Sequence, residues 1–256
     1  MVDTYTDDRA LELYAAFRGN RRSTPLLELA PYPKLFGGES FNMVAMPFHA
    51  VAQDALREIA NSINGFVRYI HFLHAWHPIY EKASEEDQYN LLLDHVKPLT
   101  TLCLSAPQAL RGRLIHAATA TSFHANAFLK WPENPPHWNG GHTSMKQAKT
   151  MSEAWSRWPV LATSLNRMAE QTFNEATSDF RNQHEHGHPR SIALGHINVV
   201  RRIEINGRVG WSFGQQEPMQ LSELLPIFEQ EHGYSMAAFI AYLEMVKEQH
   251  TAYDLL

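Results

Sequence analysis

The chain has 256 residues, of which 44% are hydrophobic and 19% charged, and its formal net charge is -5. Ordinary hydrophobicity with so small a net charge excludes general disorder, and no stretch approaches the roughly 20 apolar residues of a membrane span. The acidic start, MVDTYTDDRA, lacks the apolar core of a secretory signal, and the single cysteine, Cys103, excludes an intramolecular disulfide or a thiolate cage, so the expectation is a cytoplasmic globular protein without a membrane partner.

Residues 1–47 contain one short helical candidate, Asp7–Arg18, followed by a Pro/Gly-rich stretch, TPLLELAPYPKLFGGESFN, that reads as an extended arm. A helical stripe starts at Phe48 and continues through Val51, Ala55, Ile59, Ile63, Phe66, Ile70 and Leu73, with Pro78 as its predicted stop. A second helical block is predicted over Glu85–Lys130, broken or kinked at Pro98 and Pro107 because proline removes a donor and crowds the preceding turn. Trp131–His142 has no apolar period and reads as a loop. A third helix is predicted from Trp158 to Arg181 on the stripe Trp158, Leu161, Leu165, Met168, Phe173, Ala176 and Phe180, ending near Gly187 before Pro189.

The period then changes from helix to strand. His196–Gln215 carries β-branched and aromatic residues around Ile205-Asn206-Gly207 and reads as a hairpin. A three-residue loop with Gly207 left-handed sets Val199, Arg201 and Ile203 against Phe213, Trp211 and Val209 on one mostly apolar face, and is preferred over a two-residue Asn-Gly turn. After Leu221–Glu231 a final helix is predicted to start at Ser235 as N-cap, carrying Met236, Phe239, Leu243 and Val246. The expected fold is an all-α helical bundle with a small β-hairpin inserted before its last helix. The N-terminal arm occupies 1–47 and the helical domain 48–256.

Functional side chains are densest in Arg181-Asn182-Gln183-His184-Glu185-His186-Gly187-His188-Pro189, where the third helix ends. Between Arg181 and Arg208 five arginines oppose two glutamates, so this segment is +3 within an acidic chain. Arginine offers a permanent forked cation for phosphate, histidine exchanges a proton near neutrality, and asparagine supplies both a donor and an acceptor. Together they suit metal-free RNA cleavage, in which a base takes the 2′-hydroxyl proton and the arginine balances the charge that grows on the phosphate.

This run resembles the signature of the HEPN superfamily, Arg, four to six residues, then His, with a polar residue directly after the Arg. Arg181-Asn182-x-x-x-His186 matches the commonest form, and Arg181 to His188 the longest spacing. The spacing alone recurs five times in the chain, yet only Arg181 is followed by Asn at a predicted helix end. The resemblance implies a metal-independent endoribonuclease without cofactor, either a toxin with an antitoxin or regulatory partner or an antiphage defence effector. It also implies a homodimer whose two motifs share one cleft. Arg181, Asn182 and His186 would be catalytic. His184, His188 and Arg190, together with Ser178 and Asn174 on the helix and Arg201 and Arg202 on the hairpin, would bind RNA. A HEPN-like module that holds a nucleotide, RNA or protein without cleaving it is the alternative.

Two other readings of the same run compete. His184, His186 and His188 alternate as zinc ligands can in an extended loop, although no cysteine or second carboxylate accompanies them. Cationic residues also suit a helix C-terminus, where they complement the dipole and Gly187 with Pro189 simply ends the helix. Elsewhere, His71, His74 and His77 read as core or cap histidines, and His116 and His124 flank a small-residue segment suited to close helix packing. Cys103 reads as core.

Overall fold

Helices carry most of the chain, as its apolar spacing predicts. A computed structural model describes residues 6–35, 45–129, 138–141, 143–195, 197–205 and 208–254. Among them are nine α-helices, one π-helical turn and a two-stranded antiparallel hairpin placed before the last helix. The all-α bundle with a small inserted hairpin is therefore the observed fold. No helix among the described residues is long and apolar enough to cross a membrane.

The first helix, α1, spans Asp7–Ser23. Thr6 caps it by accepting from the Arg9 N–H at 3.3 Å, while Asp7 and Asp8 in the first turn and Arg21 and Arg22 in the last complement the dipole. It runs five residues past the predicted end at Arg18. Its buried Leu13 and Phe17 form the inner face, and Phe17 stacks on Trp76 with ring centroids 4.4 Å apart. The arm from Thr24 to Leu35 has no regular structure; the rest of it, 36–44, lies outside the described residues.

Helix α2 spans Met46–Lys82 and runs through Pro78, which was the predicted stop. Trp76 and Tyr80 on either side are buried, so packing outweighs the one hydrogen bond that the proline ring forfeits. The block after Ser84 does break before Pro98: α3 (Glu85–Leu91) passes into a π-helical turn (Leu92–Val96), and α4 then spans Lys97–Leu129. Pro107 sits inside α4 without ending it. Most of the predicted loop 131–142 lies outside the described residues, and Trp138–Gly141 has no regular structure. A short helix, α5 (Met145–Ser152), follows.

The predicted continuous helix from Trp158 is instead three pieces, α6 (Trp158–Arg167), α7 (Gln171–Ala176) and α8 (Phe180–His186). The breaks fall at non-glycine residues in the left-handed region, Ala169 at φ 47°, then Ser178 at 54° and Asp179 at 50°. Trp158, Leu161, Leu165, Met168, Phe173 and Phe180 are nonetheless buried as expected, whereas Ala176 of the same predicted stripe is exposed. At the end of the chain the opposite error occurs. The last helix, α9, is continuous over Leu221–Asp254, and Ser235 is no N-cap: it is buried within the helix and its Oγ donates to Glu231 O at 2.8 Å. The stripe Leu221, Leu225, Phe228, His232, Met236, Phe239 and Tyr242 keeps helical phase across Gly233 and holds the helix together.

Strands β1 (Ile197–Ile205) and β2 (Arg208–Gln216) pair with Ile205 opposite Arg208 and Ile197 opposite Gln216. This is the two-residue register, so the preferred three-residue loop is wrong; Asn206 and Gly207 themselves lie outside the described residues. The one-residue change exchanges faces. Val200 faces Phe213, Arg202 faces Trp211 and Glu204 faces Val209, while Val199, Arg201 and Ile203 face Gly214, Ser212 and Gly210.

The chain forms two compact units, each discontinuous in sequence. One comprises Met1–Leu27, Arg68–Ser105 and Gln171–Glu229, and the other Glu28–Val67, Ala106–Glu170 and Gln230–Leu256. The first contains α1, α7, α8 and the hairpin. Every candidate catalytic residue therefore belongs to it.

Candidate functional site

Helix α8 is short and its ends are specified by side chains close in sequence. Asp179, left-handed, precedes it, and its carboxylate accepts from Asn182 Nδ2 at 2.9 Å. Gly187 closes it by donating its N–H to Gln183 O at 2.8 Å. Phe180 anchors the inner face, and His184 one turn later stacks on the Phe180 ring at 5.4 Å with 11° between planes.

Arg181 is part-buried, and its Nε donates to Glu185 Oε1 at 3.0 Å. The other carboxylate oxygen of Glu185 lies 3.8 Å from His186 Nε2, and the His186 side chain is 73% exposed. Glu185 thus joins the two motif residues, which helical geometry sets about 140° apart around α8. A phosphate entering here meets an arginine already neutralised in part by Glu185 and must displace that carboxylate to take the full charge.

The remaining predicted residues divide. Ser178 Oγ accepts from Gln216 Nε2 at 3.2 Å, tying the α7–α8 corner to the end of β2. Arg190 Nε donates to Glu217 O at 2.5 Å, so this arginine holds the foot of the hairpin. Backbone bonds complete that foot, Met219 N–H to Ser191 O and Ala193 N–H to Met219 O, both at 2.8 Å. Asn174 is part-buried and its backbone carbonyl accepts from the Asp179 N–H. His188 is exposed beyond the helix end, and Arg202 is exposed on the hairpin. Arg201 pairs with Ser212 in the ladder. Asn174, Ser178 and Arg181, predicted on one helix, do not share one, because the left-handed residues Ser178 and Asp179 interrupt it.

His184, His186 and His188 do not converge, and among the described residues no group of three His, Cys, Asp or Glu is placed to hold a metal ion. The histidines of α2 have local partners: His71 Nε2 lies 3.1 Å from Thr24 O, His74 Nε2 2.7 Å from Glu229 Oε1, and His77 Nε2 2.9 Å from Glu81 Oε1. Cys103 is buried, and burial pushes its thiol far up from the ordinary range, which suits a core residue and no nucleophile.

Sequence reasoning left out three neighbours of the predicted residues, two of them in a cleft that none of Arg181, Asn182 and His186 lines. Glu185 was visible as the i+4 partner of Arg181. Lys97 and Thr101 were not, since only folding brings them to α8: with His184, Arg190 and Ser191 they line a cleft of about 210 Å³ floored by Leu92, Phe180 and Ile192. This cleft carries two permanent cations and two hydroxyls, the groups that hold a phosphate or a nucleotide edge. No protein-family model, curated protein or solved structure matches this chain.

Proposed function

We propose that the chain is a HEPN-type, metal-independent endoribonuclease whose working residues are Arg181, Asn182 and His186. The observation that carries this reading is the Arg181–Glu185 pair with His186 beside it at the exposed end of α8, in a locally basic segment of an acidic protein. His186 takes the proton from a ribose 2′-hydroxyl, and that oxygen attacks the adjacent phosphorus. The bond to the 5′-oxygen breaks, leaving a 2′,3′-cyclic phosphate and a 5′-hydroxyl. Arg181, released from Glu185 by the incoming phosphate, balances the extra charge, and Asn182, oriented by Asp179, hydrogen-bonds a phosphate or ribose oxygen.

One chain supplies one such histidine, yet the leaving oxygen also needs an acid. A homodimer facing two α8 ends across a two-fold axis provides both. The biological setting in this reading is a toxin held by an antitoxin or regulatory protein, or an antiphage effector.

The Arg181–Glu185 ion pair also favours a second reading, a non-catalytic module that binds nucleotide, RNA or a protein, because the pair moderates the cation a cleavage site needs. RNA cleavage by the purified chain in EDTA separates the two. The expected result is cyclic-phosphate ends, with His186→Ala slowing the reaction by about 100-fold or more. Equal, negligible cleavage by both proteins would leave only the binding reading.

A further inference from the structure

The cleft beside α8 has walls from three parts of one compact unit: the π-helical turn with the start of α4, the inner side of α8, and the segment 189–194. Phe180 and Ile192 are buried in its floor, while Leu93 and Leu194 in the same lining are exposed, so the floor is apolar and the mouth reaches solvent. Helical geometry sets His184 about 40° from Phe180 around α8, and Asn182 and His186 about 160° and 120° away from Phe180 on the far side. The cleft and the exposed end of α8 are therefore separate places. A π-turn in the wall adds to the case, because such interruptions of a helix recur at functional sites.

The polar groups of this cleft point to an anion. Lys97 and Arg190 bring two cations from different walls, and no Asp or Glu lines the cleft among the described residues. Asp94, three residues before Lys97, is exposed outside the lining and does not pair with it. Arg190 is fixed by donating Nε to Glu217 O and Nη2 to Pro218 O, which leaves its Nη1 without a partner among the described residues. Among those residues the Lys97 ammonium, the Thr101 and Ser191 hydroxyls and the His184 ring nitrogens also have no hydrogen-bond partner. A phosphomonoester carries close to two negative charges near neutrality and three acceptor oxygens, which matches this set. A carboxylate has one charge and two oxygens and would leave one cation unbalanced.

Size limits the rest of the ligand. The cleft holds about 210 Å³, and an apolar cavity of about 150 Å³ accepts a benzene ring. The difference, about 60 Å³, is roughly two water volumes and gives room for a phosphate group.

We propose that this cleft is a second binding site, independent of Arg181 and His186, for a phosphomonoester whose body is about one six-membered ring. Its phosphate takes Lys97, Arg190 and the Thr101 and Ser191 hydroxyls, and its ring lies on Phe180 and Ile192. The same chemistry occurs in a free aryl phosphate and in a phosphotyrosine side chain.

The test is isothermal titration of the full chain with phenyl phosphate at 150 mM salt. Binding is expected with a Kd below about 1 mM, and inorganic phosphate and phenol should each bind at least about tenfold more weakly, since each lacks half of the contacts. Lys97→Ala and Thr101→Val are each expected to weaken binding by about 10- to 150-fold, the worth of a hydrogen bond to a charged group. Lys97→Arg, which keeps the cation, should stay within about fivefold. Arg181→Ala and His186→Ala should bind phenyl phosphate as the wild type does, whether or not the chain cleaves RNA. Circular dichroism unchanged in every variant would show that the fold is intact. A phosphotyrosine peptide that binds more tightly than phenyl phosphate places the group on a protein, and one that binds more weakly makes the ligand a free small molecule. No binding of phenyl phosphate, equal binding by Lys97→Ala, or inorganic phosphate that binds as tightly overturns the site. Loss of binding in Arg181→Ala also overturns it, by moving the anion to the exposed end of α8.

Discussion

Glu185 controls how much cation the α8 corner shows to solvent. Its carboxylate holds Arg181 at 3.0 Å, and both side chains are partly solvated, so the pair is worth only about 0.2–1 kcal/mol. Glu185→Gln should therefore leave the melting temperature nearly unchanged while tightening oligouridylate binding by roughly 1.5-fold to fivefold at low salt. Weaker binding in a fluorescence-anisotropy titration of a labelled oligouridylate would show that Glu185 organises Arg181 for the ligand rather than competing with it. Ala193, buried at the hairpin foot with φ 59°, is another residue whose backbone runs against its chemistry. A left-handed L-residue costs about 1–2 kcal/mol, part of which glycine returns as chain entropy. Ala193→Gly is expected to stabilise by about 0.5–1 kcal/mol in urea unfolding, and a loss of stability would mean that its methyl group packs better than the strain costs.

At the scale of elements, α9 contains a carboxylate that limits its own stability. Glu231 is 3% exposed and accepts the Ala169 N–H at 3.0 Å. Burial, reinforced by the nearby Glu170 charge and opposed by that hydrogen bond, lifts its pKa from 4.5 to about 7. The folded state therefore prefers the protonated acid. Its contribution is fully present below about pH 4.5, declines as pH rises towards 7 and is lost above it. Glu231→Gln, neutral at every pH and still able to accept from Ala169, should stabilise the chain at pH 8 by up to roughly 3 kcal/mol and by little at pH 4. Parallel stability–pH curves for the two proteins would contradict this placement of Glu231.

For the whole molecule, the reading that has most to lose is the shared two-fold site. If one His186 takes a proton while its partner gives one, mixing an excess of His186→Ala protomers into wild-type dimers should depress activity per wild-type chain. Activity that merely tracks the number of wild-type chains, or a fully active monomer in sedimentation, would refute a shared site. RNA affinity should also fall steeply with salt, with a slope of about -0.7 per phosphate neutralised on a single strand. Arg202→Ala should weaken binding and flatten that slope, and indifference to salt would point to a protein ligand instead.

Local chemistry made much of this molecule legible in advance. The 3.6-residue recurrence of apolar side chains located the long helices, and the switch to β-branched and aromatic residues located the hairpin. Residues Arg181 to His186 were recognisable as one unit because all of them lie on a single short helix. Tertiary structure decided the rest, because burial outweighs propensities of about 1 kcal/mol and the loss of a single hydrogen bond. Packing around Trp76 and Tyr80 carries α2 through Pro78, and the unbroken stripe from Leu221 to Tyr242 carries α9 through Gly233. The left-handed residues at Ala169, Ser178 and Asp179 have no glycine to announce them, so the fragmentation of the third helix had no sequence signal. The hairpin faces hung on one residue of register, and Lys97 joins His184 only because the fold brings the start of α4 to α8.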